Sequence, residues 1–445
     1  MNPLGGSRAQ FWDALRSGNS ALRVESAGAT AEGGKLAALL GKGDASQAGP
    51  LSYAAARVGD FGAAQAIDAN RRRRMPRLGQ MAIVAAQQAL VGVDGGRSDA
   101  SSAASPAAFY GAERVGVALG TALGALDLTV EFMTQYLAAG LSSASPASFP
   151  YTVLNTPAAL IAMELGLRGP NVTVNHRDLS ASEALVTACE ILLCGRADAV
   201  LAGGADELSA SLLHAYRRFS GLADAGPVRP GDASGADVPP GPYDRRRRGL
   251  CPGEGATLFL LERADAAERR GVTPLAKIAG YGRAGDTRAR IGWTEQPAIA
   301  AQGSSGAVSA LQAAAQMAGC GLEQIDCIAG SGNGTRLDLI ETGVLRAALG
   351  QSADRVSVLS LLGQTGEWPT SAAARVAQAL FALKQQALPR FECPQPDAQA
   401  ALPGLCTRAG TAGSDREPIA SSVQHVLVPC LAQGGGSVAI MLARA

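Results

Sequence analysis

The sequence predicts an α/β protein whose two similar halves form an internally duplicated stack of five layers, α-β-α-β-α. Residues 171–203 contain a short strand, a sharp turn, a helix and a second strand, which is the repeating unit of layered α/β folds. The same order of strands and helices recurs after residue 265. We therefore expect one half over residues 1–265 and the other over residues 266–445.

Apolar spacing and turn residues predict the elements of the first half. A short amphipathic helix around Phe11 and Leu15 opens the chain, and MPRLGQMAIVAAQQALVG and LTVEFMTQYLAAGL also have apolar residues at helical spacing. ERVGVALGTALG predicts a buried strand that enters a Gly-rich loop, and FPYTVLNTPAALIAMELGL predicts a loop followed by a helix. The repeating unit then divides into a strand at 171–175, a helix at about 180–193 and a strand at 199–203.

The second half repeats this pattern after a long loop rich in Gly, Pro and Asp. Strands are predicted for ATLFLLE, AKIAGYG, DCIAGS and VSVLSLL. Helices are predicted for SGAVSALQAAAQMAG, LDLIETGVLRAALG and TSAAARVAQALFALKQ. HVLVPCLAQGGGSVAIMLARA predicts a terminal hairpin that turns at its glycines.

Composition and charge exclude several classes of protein. The 39 basic and 38 acidic side chains of the 445 residues leave a net charge of +1, so we expect neither nucleic acid nor an anionic membrane as a partner. No apolar run approaches the ~20 residues that span a bilayer, and the chain start lacks a signal-peptide pattern, so we expect a cytoplasmic protein. The 8 cysteines form no C-x-x-C pair, so we expect neither a disulfide framework nor a metal site.

Five separated segments carry a resemblance to the β-ketoacyl-acyl-carrier-protein synthases, which are condensing enzymes with the thiolase fold. GLRGPNVTVNHRDLSASEAL is similar to the strand and nucleophile elbow of that family, and ADAVLAGGADE to the strand that follows. GPYDRRRRGLCPGEGATLFLLE, SGNGTRLDLIE and SVLSLLGQTG resemble three further motifs, in the family's order. The resemblance implies the thiolase-like, duplicated five-layer fold over almost the whole chain.

The active-site positions that the resemblance defines hold other residues here. In active members a Cys at the elbow attacks the acyl thioester, two His residues promote malonyl decarboxylation, and a Lys supports them. Counting from Gly169 places Asp178 at the elbow. Ser331 and Gln364 occupy the two His positions, and Leu359 occupies the Lys position.

These replacements remove the groups that a condensation needs. A carboxylate at Asp178 suits the positive end of a helix, but it repels the negative charge that develops during acyl transfer. Ser331 and Gln364 offer neutral hydrogen bonds in place of the two imidazoles. The supporting acidic pair of the family is retained as Asp338 and Glu341, in a loop one residue short. We expect no condensing activity and no catalytic residues at these positions.

The resemblance is to the chain-length factors, the silent partners of type II polyketide ketosynthases. It implies a heterodimer with an active ketosynthase and contact with an acyl carrier protein, which delivers the phosphopantetheine arm, so no cofactor of its own is expected. The resemblance also implies residues that line a tunnel for the acyl chain and residues of a gating loop. The tunnel residues are Leu123, Leu128, Phe132 and Tyr136, and the loop residues are Ala432, Gln433, Gly434 and Gly435.

Two rival functions stay open. The first is an enzyme with altered chemistry, an acyl hydrolase, transferase or malonyl decarboxylase that uses Asp178, with His176 as a partner if both lie on one strand. The second is a homodimeric scaffold that binds acyl chains or carrier protein. Cys430 lies near the gating loop, and the arginine runs 71–74 and 245–248 are either contacts for an acidic carrier protein or solvated surface.

The chain start departs from the family pattern. Residues 1–5 resemble a Ser-Pro-Leu-Gly segment that follows the family's first strand, and that strand is missing from the sequence. We expect either a start further upstream or a rearranged sheet, because an open slot in the centre of the sheet leaves backbone groups unpaired.

Overall fold

A computed structural model describes residues 1–27, 51–91, 105–218, 221–223, 238–286, 305–408 and 417–445. The α-helices in these ranges are α1 (Arg8–Ser17), α2 (Ala63–Ala66), α3 (Ala69–Arg72), α4 (Arg77–Val91), α5 (Pro106–Tyr110), α6 (Leu126–Ala139), α7 (Thr156–Leu165), α8 (Ser180–Leu193), α9 (Ala210–Arg218), α10 (Ala264–Arg269), α11 (Ser305–Met317), α12 (Leu337–Leu349), α13 (Leu362–Thr365) and α14 (Ala372–Gln385). Short 3₁₀ turns include Arg177–Leu179.

The strands in the same ranges are β1 (Arg23–Ala27), β2 (Leu51–Ala55), β3 (Val115–Gly120), β4 (Asn171–Val174), β5 (Ala199–Asp206), β6 (Gly255–Glu262), β7 (Lys277–Gly285), β8 (Cys327–Gly330), β9 (Ser357–Ser360), β10 (Ala387–Leu388), β11 (Phe391–Glu392), β12 (Thr407–Arg408), β13 (Ile419–Ala420), β14 (His425–Leu431) and β15 (Gly436–Ala443). Three two-stranded ribbons, β1-β2, β10-β13 and β11-β12, lie outside the two main sheets.

The sheet of the N-terminal half has the strand order β4-β3-β5-β6. β3 is parallel to β4 and β5, whereas β6 is antiparallel to β5. Every residue of β3 and β5 is buried, as expected for strands with helices on both faces. An added Cβ at Gly120, the last residue of β3, would lie 2.3 Å from the backbone oxygen of Ser180. Glycine therefore lets the start of α8 pack directly against the sheet.

The sheet of the C-terminal half has the order β7-β15-β14-β8-β9. β8 is parallel to β9 and β14, β15 is antiparallel to β14, and β7 is antiparallel to β15. Four strands of the two sheets thus correspond in order and direction, β4-β3-β5-β6 with β9-β8-β14-β15. The duplication predicted from the sequence is visible in this topology.

Three apolar cores fill the spaces between the layers. The central core joins both sheets through α8 and α14, with Leu185, Val200 and Val428 among its buried residues. A second core packs α4 and α7 on the outer face of the first sheet, and a third packs α11 and α12 on the outer face of the second. The order of layers is α-β-α-β-α, which confirms the predicted fold class.

The pairing of the edge strands shows where the first strand of the family pattern would lie. In the second half, β7 pairs with the outer edge of β15. The matching place in the first half is the outer edge of β6, where the Met1 amino group donates to Ala256 O at 2.7 Å and Ala256 N–H donates to Met1 O at 3.0 Å. The interpretation that the absence of this strand would leave a slot in the centre of the sheet was wrong, because the corresponding position lies at an edge.

In the ranges given above, no helix has both the length and the apolarity that crossing a membrane requires.

Candidate functional site

The elbow between β4 and α8 presents Asp178 at the start of a helix. β4 ends at Val174, and the 3₁₀ turn Arg177–Leu179 leads into α8 at Ser180. Arg177 has φ 50°, a strained conformation for a residue with a side chain. Ser180 stabilises the turn, since its Oγ accepts from His176 N–H at 2.9 Å and donates to Arg177 O at 2.6 Å. The sharp turn predicted from the sequence is therefore present and braced.

Asp178 lies in a small cleft between the two halves of the fold. Its volume is about 40 Å³, enough for a few water molecules and too little for a pantetheine arm. Asp178, Asn333, Glu367 and Gln433 supply polar groups from four different segments. The remaining lining residues are Tyr216, Thr335, Arg336, Leu337, Ile340, Pro369 and Leu431.

The Asp178 carboxylate is held between opposing influences. Burial raises its pKa above the usual value, while the Arg177 guanidinium and a hydrogen bond from the backbone N–H of Gln433 act in the other direction. The hydrogen bond from Gln433 joins the elbow to the β14–β15 turn. The phenol of Tyr216 borders the same cleft, and its pKa is raised well above normal by burial and by the charges of Glu367 and Asp178.

Glu367 is the second carboxyl group of the cleft. It follows Gly366, whose φ of 66° ends the short helix α13 and turns the chain into the cleft. Asn333 Nδ2 donates to Glu367 Oε2 at 2.7 Å. Burial raises the pKa of Glu367 to about 8, and the Asp178 charge adds to this rise, while Asn333 and Arg375 oppose it. Burial therefore favours the protonated form of Glu367 at neutral pH.

The loop that carries Asn333 is fixed by the retained acidic pair. Asp338 Oδ1 accepts from the backbone N–H groups of Asn333 and Gly334 at 2.8 and 3.1 Å. Glu341 accepts from Ser331 N–H and Oγ through Oε1, and from the phenol of Tyr243 through Oε2 at 2.6 Å. Burial raises the pKa of Asp338 to about 6. These carboxylates shape the loop from beneath and do not line the cleft.

The structure brings only part of the sequence-predicted set together. Asp178 and Gln433 line the cleft, whereas Ser331, Gln364 and Leu359 do not. The Ser331 hydroxyl donates to Glu341 at 2.7 Å, and the Gln364 amide points towards Arg390 O at 3.5 Å. Leu359 is fully buried in the central core between the two sheets.

Three cleft residues escaped the sequence argument. The segment GQTGE contains two Gly-x pairs three residues apart, Gly363-Gln364 and Gly366-Glu367, and the first was matched to the family's Gly-His. Of these two pairs, the structure places Glu367 in the lining of the cleft and Gln364 outside it. Asn333 and Tyr216 carried no signal beyond their polar character.

The hypothesis of a His176–Asp178 dyad on one strand is wrong. β4 ends at Val174, so both residues lie beyond the strand, in the turn. His176 Nδ1 is instead 3.8 Å from Glu183 Oε1, and the imidazole is more than half exposed.

The four tunnel candidates lie outside the cleft. Leu123 packs beside Leu208 and Leu212 in a small apolar cluster. The Phe132 ring is 5.8 Å from that of Phe149, Leu128 is half-buried, and Tyr136 is exposed. A tunnel role for these residues stays a prediction.

Cys430 and the arginine runs also have defined surroundings. Cys430 is buried in the central core, where Arg375 Nη2 contacts its Sγ at 3.3 Å. Within the run 245–248, Arg246 pairs with Asp244 and Arg247 with Asp397. The ion pairs of this run therefore stabilise its own loop. Across the described ranges, no group of three or more His, Cys, Asp or Glu side chains is arranged as metal ligands.

Comparison with known protein families identifies the family to which this chain belongs. Residues 1–267 match the family described as Beta-ketoacyl synthase, N-terminal domain, and residues 275–392 match Beta-ketoacyl synthase, C-terminal domain. Because these matches cover most of the sequence, the chain belongs to the β-ketoacyl synthase family.

Two relatives illustrate the range of similar sequences. The 3-oxoacyl-(acyl-carrier-protein) synthase 2 of Vibrio cholerae is 32% identical over 257 residues, which are 57% of this chain and 59% of that protein. Nodulation protein E of Rhizobium meliloti is 29% identical over 298 residues, 66% of each protein. The matches to these two relatives therefore cover between 59% and 66% of their lengths.

Solved structures share the whole fold at low sequence identity. The ishigamide ketosynthase/chain length factor aligns with a TM-score of 0.75 at 20% identity, over 100% of this chain and 96% of that one. A ketosynthase in complex with its chain length factor from Xenorhabdus doucetiae gives 0.74 at 20%, with the same coverage. A β-ketoacyl synthase from Burkholderia phymatum gives 0.77 at 21%, over 100% and 97%. These likenesses establish the thiolase-like fold.

Proposed function

We propose that this chain is a non-condensing ketosynthase-like subunit of the chain-length-factor kind. It pairs with an active ketosynthase and bounds the space in which a carrier-bound acyl chain grows. The observation that carries this proposal is the lining of the cleft, where Asp178 stands at the elbow and no residue has a thiol or an imidazole. A carboxylate at this position opposes the negative charge of an acyl oxyanion.

The chemistry of the cleft supports the absence of condensation. The residues that line it contain neither a thiol nor an imidazole. Asp178 and Glu367 instead supply two carboxyl groups, and negative charge on either one opposes the charge that forms on an attacked thioester or an enolate. The cleft retains the family's scaffold with groups unsuited to the family's reaction.

An apolar surface supports a macromolecular partner. Helix α6 has no buried residue, although its sequence LDLTVEFMTQYLAA is largely apolar. Eight of the eleven large apolar side chains that are exposed in the described ranges lie between residues 133 and 163, and we call this surface the 133–163 face. They are Met133, Tyr136, Leu137, Leu141, Phe149, Val153, Leu154 and Met163. Contiguous apolar surface of this kind marks interaction sites in soluble folds.

The kinds of partner are supported by proteins with the same fold. Two of the solved structures described above contain a ketosynthase together with a chain length factor. A third structure contains a type II acyl-carrier protein in complex with its ketosynthase. For the present chain we infer an active ketosynthase on the 133–163 face, and a carrier protein that brings the acyl chain to the pair.

Co-expression tests the heterodimer. A ketosynthase from the same gene cluster that retains Cys and both His residues should elute with this chain as one species in size-exclusion chromatography. Leu137→Glu should weaken this association at least about tenfold, since it buries an unpaired charge in the contact. The matched control is Leu193→Glu, because Leu193 is 65% exposed, Leu137 is 64% exposed, and Leu193 lies outside the 133–163 face.

Three outcomes would contradict the heterodimer. Separate elution of the two chains rejects it, and so does equal loss of association in both variants. A dimer of this chain alone, disrupted by Leu137→Glu, would instead support the homodimeric scaffold.

A second candidate function is hydrolysis of acyl thioesters. The observation that favours it is the presence of two carboxyl groups in one cleft, with the pKa of Glu367 raised to about 8, since such a pair can supply a general acid and a general base. Asp178 would take a proton from water as the water oxygen attacks the thioester carbon, and Glu367 would protonate the departing thiolate. The products are a free acid and a thiol.

Mass spectrometry of acyl-carrier protein incubated with the purified chain tests this second candidate. Release of free acid that Asp178→Asn abolishes, and that the matched variant Asp326→Asn leaves intact, would support it. Absence of release would support the non-condensing subunit.

A further inference from the structure

The loop 331–335 contains the pair Asn333-Gly334, and no other asparagine of the 445-residue sequence is followed by a glycine. Asparagine is a thermolabile residue, because its side-chain amide can be lost by deamidation. Glycine as the next residue favours this reaction, since a backbone nitrogen without a neighbouring side chain is the least hindered nucleophile. The sequence therefore places its most labile amide in the wall of the cleft.

Deamidation of this pair has two steps. The Gly334 nitrogen loses its proton and attacks Asn333 Cγ, a bond forms between the two atoms, the bond from Cγ to Nδ2 breaks, and ammonia leaves. Water then opens the cyclic imide to an aspartyl or isoaspartyl residue, so one water is consumed and one ammonia is released. The reaction therefore requires a deprotonated backbone nitrogen, a side chain that can rotate, and water.

The backbone nitrogen that would attack is held by a buried carboxylate. Gly334 N–H donates to Asp338 Oδ1 at 3.1 Å, and Asn333 N–H donates to the same oxygen at 2.8 Å. Asp338 is fully buried. Its negative charge opposes the negative charge that the Gly334 nitrogen must develop before it can attack. The hydrogen bond therefore disfavours the first step of deamidation.

The side chain of Asn333 is held at both of its polar atoms. Oδ1 accepts from Thr335 N–H at 3.0 Å and from Thr335 Oγ1 at 2.6 Å, and Nδ2 donates to Glu367 Oε2 at 2.7 Å. A backbone N–H only donates, so the oxygen of the amide faces Thr335. Asn333 is also 6% exposed, which restricts access of water. Rotation of this side chain acts against all three hydrogen bonds.

We propose that Asn333 is a deamidation site, which the hydrogen bonds of Asp338 and Thr335 keep unreactive in the folded protein. Opening of the loop 331–335 removes this protection. Deamidation then puts a carboxyl group where the amide now donates to Glu367, so the cleft contains three carboxyl groups instead of two. The inference concerns a bond within one chain, and it holds for either function considered above.

A second buried carboxylate provides a matched control for Asp338. Asp206 is 1% exposed, and its Oδ1 accepts from the backbone N–H groups of Ala122 and Leu123 at 2.9 and 3.4 Å. Asp338→Asn and Asp206→Asn therefore both remove a buried charge that binds backbone N–H groups. Only the first removes it from Gly334.

A second threonine provides a matched control for Thr335. The hydroxyl of Thr342 is buried and donates to Ala400 O at 2.7 Å, away from the loop 331–335. Thr335→Val and Thr342→Val therefore each remove one hydroxyl hydrogen bond. Only the first removes it from Asn333.

Peptide mapping of the full chain by mass spectrometry, after incubation at pH 8, measures the rate of deamidation at Asn333. The wild-type rate should be at least about tenfold lower in the folded chain than in guanidinium chloride. In the folded chain, Asp338→Asn should raise the rate at least about tenfold, and Thr335→Val roughly threefold. Asp206→Asn and Thr342→Val should react at the wild-type rate.

Several results would overturn the proposal. Absence of deamidation in the unfolded chain rejects the site, and equal rates in the folded and unfolded chain reject its protection. An unchanged rate in Asp338→Asn, or equal acceleration in Asp206→Asn, rejects the role of Asp338. If Asp338→Asn fails to fold, Thr335→Val decides, and a rate no higher than that of Thr342→Val rejects the proposal.

Discussion

The molecule contains two pairs of carboxyl groups with different surroundings, one buried and one partly exposed. Asp338 and Glu341 lie beneath the loop 331–335, and each accepts at least two hydrogen bonds from backbone or hydroxyl donors. Asp178 and Glu367 line the cleft, where burial raises the pKa of both groups and the Asp178 charge raises that of Glu367 further. Each carboxylate of the first pair accepts several of the hydrogen bonds that a buried charge requires, whereas Glu367 accepts one from Asn333.

This difference separates scaffold from chemistry. The pair beneath the loop is retained from the family pattern, and its hydrogen bonds give the loop its shape whether or not a reaction takes place. In the cleft, Asp178 stands at the elbow position where the resemblance puts a reactive Cys. One pair thus shapes a loop, and the other supplies the acidic groups of the cleft.

The largest expected effect breaks the pair beneath the loop. Glu341→Ala leaves the phenol of Tyr243 and both donors of Ser331 without their acceptor, so it should lower the free energy of unfolding by about 3 kcal/mol. Urea denaturation measures this loss. The exposed Glu268 is the control, and Glu268→Ala should change stability by less than about 0.5 kcal/mol. A loss of similar size in both variants would show that Glu341 has no special role.

The next effect concerns the pH dependence of the cleft pair. Burial raises the pKa of Glu367 from 4.5 to about 8, so between these values the folded protein binds a proton that the unfolded chain releases. The free energy of unfolding should therefore fall as the pH rises from about 4.5 to 8. The Glu367→Gln variant has no titrating group at this position. Its free energy of unfolding should therefore fall by on the order of 2 kcal/mol less than that of the wild type between these two pH values.

Urea denaturation of both proteins at the two ends of that window measures the difference. Asp338 titrates in the same direction between 3.8 and about 6, but it is present in both proteins and cancels in the comparison. Parallel stability profiles for wild type and Glu367→Gln would contradict the buried carboxyl group in the cleft.

The smallest effect sharpens the same comparison from the neutral side. Tyr243→Phe removes a hydroxyl that donates to Glu341 at 2.6 Å and accepts from Gly332 N–H at 3.1 Å. The change should cost about 1 to 2 kcal/mol, less than Glu341→Ala, because Glu341 keeps its two bonds from Ser331. Calorimetric unfolding measures this loss. An equal loss of unfolding free energy in Tyr243→Phe and Glu341→Ala would show that the hydrogen bonds of Tyr243 account for the whole contribution of Glu341.

The sequence predicts the fold better than it predicts the cleft. The strand, turn and helix around Asp178 are local, and counting from Gly169 is sufficient to place the carboxylate at the elbow. The two halves are recognisable because apolar spacing alone sets their strands and helices. Long-range order is less accessible, and the edge position beside β6 is visible only from the sheet topology.

That Glu367 lines the cleft and Gln364 does not has a specific physical reason. Which Gly-x pair enters the cleft depends on where α13 ends, and Gly363 and Gly366 are equally plausible as turn residues in the sequence. The positive φ of Gly366 decides the matter in the structure. Ser331 is similar, because only the fold shows that its hydroxyl is directed to Glu341 rather than to the cleft.

The position of Ser331 also bears on the proposed absence of condensing activity. Its hydroxyl is committed to the inner network, Leu359 is sealed in the central core, and Glu367 keeps an acid in the pocket. Placing a thiol at the elbow by Asp178→Cys would restore a single reactive atom among neighbours adapted to its absence. On the proposed function, Asp178→Cys alone would therefore not give the chain condensing activity.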